Sequence, residues 1–173
     1  MPPNIGMPML QVFVLHTRKA LLCLIQLLLL TAFASAQSTA KVTQDFGLIG
    51  TWAVECERSP SPKNEHAVFS VIASDTIQLL NNFGPEYDDM VYVIVDAERL
   101  APNRISLRQV LTTDRRVVLD IVMVRDNDKL RVWSSRSTDG TTLVRDGTIA
   151  LANGHATQWV ERCQGRRADS APN

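Results

Sequence analysis

From residue 47 onward the apolar positions fall in short runs rich in Val, Ile and Thr, separated at nearly regular spacing by turn residues. That rhythm is the signature of an all-β domain. It predicts about nine strands, at residues 48–56, 66–73, 76–83, 89–98, 104–112, 116–125, 129–137, 141–151 and 156–163. No segment carries the 3.6-residue period of a long helix. The connections agree with the strands: Pro60-Ser61-Pro62 is a loop, Ser74-Asp75 a tight turn and Gly84-Pro85 a break. Ala101-Pro102-Asn103, Asp126-Asn127-Asp128, Asp139-Gly140 and Asn153-Gly154 are further turns, the Asp-Gly and Asn-Gly pairs tolerating the positive φ that two-residue hairpins need. Links this short join only antiparallel neighbours, so the expected topology is a meander of 8–9 strands. Closing it into a barrel removes both exposed edges; a two-layer β-sandwich is the alternative.

Within strands the phases sort inside from outside. Trp52, Val54 and Cys56 alternate with Thr51, Glu55 and Glu57, and Ile105, Leu107 and Leu111 alternate with Ser106, Arg108 and Thr112. The stretches 91–95 and 117–124 are apolar on both faces apart from Asp120, which in a barrel without a covering helix points to a dimer contact or a partner surface. The flanks 37–46 and 165–173 lack periodicity and read as a flexible N-terminal segment and a disordered tail around a single domain at 47–164.

Upstream, the pattern changes character. His16, Arg18 and Lys19 precede an apolar run at 20–30, and Ala34-Ser35-Ala36 supplies small residues in A-x-A spacing, so residues 1–36 read as a secretory signal peptide. A bilayer-spanning helix wants about 20 apolar residues, and the run holds the protein in a membrane only if it is left uncleaved. The expected location is periplasmic or secreted. Removing Arg18 and Lys19 leaves 16 basic against 18 acidic residues, a slightly acidic chain of 137 residues. That balance argues against nucleic acid as a partner, which calls for a basic face.

Export also changes what the cysteines mean. Cys56 and Cys163 survive processing, and an even pair in an exported chain is most simply a disulfide. The bond requires the first and last strands to lie within about 7 Å, as barrel closure supplies. Trp52 and Cys56 are four apart, as are Trp159 and Cys163, an even spacing that places each pair on one strand face. An odd strand count would then bring the two tryptophans together; an even count would separate them.

Gly50-Thr51-Trp52 on the first strand resembles the G-x-W signature of the lipocalin and calycin group of up-and-down barrels. The resemblance covers that tripeptide, the length and the meander; the nearest match to the group's T-D-Y motif is Thr113-Asp114-Arg115. It implies that Trp52 packs beneath a lipocalin-like barrel, that Arg162 or Arg166 packs on it, and that an internal cavity takes a small apolar molecule. The chain also looks like short exported bacterial proteins with the same Trp and Cys placement at both ends.

Chemistry is sparse. There is no G-x-S-x-G, H-E-x-x-H, P-loop, dinucleotide fingerprint or C-x-x-C, so no catalytic residue, metal site or cofactor is assigned and the protein is not expected to be an enzyme. His66 and His155 sit at turns without ligand spacing and read as surface residues. One polar cluster stands out, Arg136, Arg145 and Asp146 beside Trp133 and Ser134 around the Asp139-Gly140 turn. The phases of Leu130, Val132 and Leu143 point Arg136 and Arg145 into the lumen, where buried cations need a partner. With Trp133 they are the candidate ligand-binding residues for an anionic head group; the competing reading, which we favour, pairs them with Asp120 and Asp146. Two functions remain: a small barrel that binds an apolar or amphiphilic ligand, or a non-catalytic envelope module that meets a second copy or another protein.

Overall fold

The alternating runs form the wall of an eight-stranded antiparallel barrel in the computed structural model, which describes residues 37–150 and 154–163. The expected signal peptide 1–36 and the expected disordered tail 165–173 fall outside these residues, and what is described belongs to a unit that begins at Gln37. In chain order the elements are α1 (Thr39–Phe46), β1 (Gly50–Ala53), β2 (His66–Ala73), β3 (Thr76–Asn82), β4 (Met90–Ala101) and β5 (Arg104–Leu111). They continue with β6 (Val118–Asp126), β7 (Lys129–Ser137), β8 (Thr142–Arg145), β9 (Thr148–Ile149) and β10 (Val160–Cys163). Strands β1 to β7 pair consecutively, and β10 closes the ring by pairing with β1 on one side and with β7 on the other.

The even count makes β10 antiparallel to β1, with Thr51 opposite Cys163 and Trp52 opposite Arg162. Trp52 and Trp159 are therefore held apart. The disulfide Cys56–Cys163 is present, with Cα atoms 5.3 Å apart. Its geometry differs from the one the spacing suggests, because β1 ends at Ala53. Beyond Ala53 the chain turns back until Cys56 lies against Cys163, whose ladder partner is Thr51. Cys56 is thus off the strand and does not share a strand face with Trp52.

The segment 37–46, expected to be flexible, is instead helical. Ser38 caps α1 by accepting from the Lys41 N–H (3.3 Å), and Gly47 ends it at φ 78° in the left-handed region that favours glycine. Eight residues make a marginal helix alone, so tertiary packing must hold this one. Ala40, Val42, Thr43 and Phe46 are buried, as is Leu48 just beyond. Full burial of a side chain such as Phe46 or Leu48 is worth about 1.5–3 kcal/mol, enough to offset the weak local preference. Asp75 in the β2–β3 turn accepts from the Ala40 N–H (2.9 Å), and Arg125 at the end of β6 donates to the Phe46 carbonyl, with its guanidinium over the Phe46 ring. The helix plugs this end of the barrel.

Trp52 lies just inside the plug, 1% exposed, its indole N–H donating to the Leu48 carbonyl at 2.8 Å. Arg162 covers it as the G-x-W resemblance implies, its Cζ 5.9 Å from the ring centroid and its Nη2 donating to the Ile49 carbonyl at 2.6 Å. Gly50 is required here by its φ of 135°, a backbone conformation that residues with a Cβ rarely adopt. Above this layer Phe69, Ile77, Leu79, Ile94, Ile105, Leu107 and Leu130 fill the lower barrel.

Candidate functional site in the barrel lumen

Away from the plug the lumen is open. A cavity of about 700 Å³ runs from the middle of the barrel to the end where the loop before β2 and the segment 155–158 meet. That volume falls within the roughly 300–1,000 Å³ of small-molecule sites. Phe69 and Leu79 from β2 and β3, Ile121 and Met123 from β6, Val132 from β7 and Val160 from β10 give it apolar walls. These are the inward phases of their strands.

The wall has a seam that explains the opening. β10 pairs with β7 only at Leu130 and Lys129, while farther along β7 Ser135 and Arg136 pair with β8. Between the two, the chain after β9 crosses the gap, tied down by Thr157, whose hydroxyl donates to the Val132 carbonyl (2.7 Å) and whose N–H donates to the Gly147 carbonyl (2.7 Å). His155, Ala156, Thr157 and Gln158 line the cavity from this crossing.

Polar groups interrupt the apolar lining. Glu65, Asn81 and Gln109 face the cavity and Arg131 borders it at the seam, its guanidinium over Trp133 and Trp159; among the described residues Asn81 Oδ1, Gln109 Oε1 and Arg131 Nε are buried side-chain atoms without a hydrogen-bond partner. Leaving such an atom unpaired costs about 1–3 kcal/mol. Gln109 is the sharpest case, being 3% exposed on the inward phase of β5 between Leu107 and Leu111. Burial raises the pKa of the Glu65 carboxyl above its usual range, and the Tyr92 phenol is raised by burial and, secondarily, by the charge of Glu65.

The residues that sequence phase assigned to a lumenal site lie elsewhere. Arg136 and Arg145 are exposed, and neither they nor Trp133 lines the cavity. The cause is a β-bulge at Trp133, where Val122 pairs with Ser134 but the next residue, Met123, pairs with Val132. One extra residue inverts the phase, so Leu130 and Val132 point in, but beyond the bulge Ser135 does and Arg136 does not. Arg136 joins an outer-face row with alternating charge, Asp96, Arg108, Asp120 and Arg136 on four adjacent strands. Asp120 takes a bidentate pair from Arg108 (2.7 and 3.1 Å), which lowers its pKa, with Arg136 adding to the shift. Asp120 thus takes its ion pair from Arg108 on the outer face, rather than from Arg136 or Arg145 in the lumen as sequence phase predicts.

Trp133 has a different occupation. Arg104 and Arg131, aligned through Val124, lie over its ring at 5.2 and 5.1 Å, and Arg131 also stacks on Trp159 at 4.6 Å. Trp159 precedes β10 and packs the crossing segment onto β7 through this stack, each such contact being worth about 0.5–1 kcal/mol at exposed sites. Sequence phase overlooked Asn81 and Gln109, although both carried a usable signal. Each is a polar residue on a phase whose other members, Ile77 and Leu79 or Ile105, Leu107 and Leu111, are apolar.

Comparison with protein-family models, with curated proteins and with solved structures returned no match, so the reading of the lumen rests on its own residues.

Proposed function

We propose that this protein is a non-catalytic, exported binder of a small amphiphilic molecule, held in the lumen of the barrel. The observation that carries the reading is the coincidence of the cavity with unpaired buried polar atoms on inward phases: Asn81 Oδ1 and Gln109 Oε1 both line it. A fold tolerates buried unpaired groups poorly, and a bound molecule with an apolar body and a polar group would satisfy them while covering Phe69, Leu79 and Met123. The Cys56–Cys163 bond fits an oxidising, extracytoplasmic compartment, where such a carrier or sensor would meet its ligand.

Native mass spectrometry of the protein from its own host, before and after denaturation, tests this. A small molecule released on unfolding is the expected result. A ligand-free dimer would overturn it in favour of an interaction module, for which the half-exposed outer residues Ile72, Val95 and Leu100 would be the contact surface.

A further inference from the structure

We infer that the lumen selects a neutral polar group carrying both a hydrogen-bond donor and an acceptor, of carboxamide or lactam type, over an ionised head on the same apolar body. The inference rests on the lumenal binding reading and assigns its ligand class. Asn81 on β3 and Gln109 on β5 present two carboxamides to one cavity from strands separated only by β4. A carboxamide is a neutral group with one acceptor oxygen and two N–H donors, and a half-turn about its last bond exchanges them. Its natural complement is another amide edge, which accepts from the NH2 and donates to the oxygen at once.

An ionised head fares worse. Bringing a carboxylate or ammonium out of water into this space incurs a large desolvation cost that neutral amides do not repay. Among the cavity-lining residues the charged groups are Lys63 and Glu65, in the loop before β2, and Arg131 at the seam, whose guanidinium is stacked between Trp133 and Trp159. The Glu65 carboxyl is itself disfavoured as an anion by burial, the same penalty that a ligand carboxylate would meet. The β3–β5 wall thus offers hydrogen bonds without a counter-charge.

The test uses the full-length folded protein and four probes with one ten-carbon chain, decanamide, decanol, decanoate and decylamine, titrated calorimetrically at pH 7. Decanamide is expected to bind at least tenfold more tightly than either charged probe and more tightly than decanol. Gln109→Leu should reduce the preference for decanamide over decanoate to under threefold while chain binding persists; Asn81→Leu provides the same reading if the first variant fails to fold. Equal or tighter binding of decanoate, decylamine or decanol, or an unchanged preference in a folded variant, overturns the assignment of the head group and leaves the cavity reading standing. Failure of all four probes to bind overturns both.

Discussion

The two ends of the barrel treat polar groups in opposite ways. At the plugged end nearly every such group that matters is satisfied by a named partner: the Trp52 indole by Leu48, Arg162 by Ile49, Arg125 by Phe46, and the first free N–H groups of α1 by Ser38 and Asp75. At the open end Asn81, Gln109 and Arg131 keep buried atoms unpaired beside a cavity. Both ends are built from the same alternating strands. What separates them is that one buries polar atoms only with partners, which stabilises the fold, whereas the other holds them in reserve, which costs stability and suits a site.

Damage at the plug should therefore be expensive. Trp52→Ala empties a fully buried ring from under Arg162 and is expected to cost about 3–5 kcal/mol in chemical denaturation. A loss below about 1 kcal/mol would mean that the plugged end is not the stable end. Reducing Cys56–Cys163 comes next. The bond spans 107 residues of sequence and pins the turn after β1 to the last strand. Its loss is expected to cost about 2–4 kcal/mol and to lower the melting temperature by several degrees. An unchanged transition would show that the β1–β10 seam is held by its ladder and Arg162 alone.

The smallest effect is the most specific to the open end. Because burial raises the Glu65 pKa above its ordinary value of 4.5, the folded protein holds that proton more tightly than the unfolded chain. Stability therefore falls as pH rises from 4.5 through the raised value, and the cost is complete above it. Asp120 has the opposite sign. Its pKa is lowered from 3.8 by Arg108, so its contribution is present above 3.8 and is lost as pH falls through the lowered value, and at this exposed position it is small. Glu65→Gln should raise stability at neutral pH and remove the decline above pH 4.5, with the acid limb left in place. Persistence of that decline in the variant would place its source outside the cavity.

Much of this molecule was legible in its alternation. Strands β2, β3, β5 and β7 lie within a residue of their expected bounds, and the meander, the closure and the disulfide follow from turn chemistry and from two cysteines in a chain read as exported. The helix was not, although Ser38 and Gly47 marked its ends, because its stability comes from Phe46 and Leu48 entering the barrel rather than from any local period. The candidate site was misplaced for a subtler reason. Phase counting along β7 is correct up to Val132 and inverted after it, and the bulge that inverts it falls in an ordinary run, Val132-Trp133-Ser134-Ser135, with no glycine to mark it. Gln109 was readable in principle, as the one polar member of an apolar phase.

That bulge has a consequence for how the barrel tolerates change. Side-chain direction beyond Trp133 is set by counting residues, much as codons are set by a reading frame. Exchanging or deleting Trp133 costs its stacks but leaves Ser135 inward and Arg136 outward, because the residue lost is the extra one, whereas deleting Ser135 places Arg136 opposite Ile121 and delivers it into the apolar lumen. The bulge residue can be lost without changing the frame; a residue beyond it cannot.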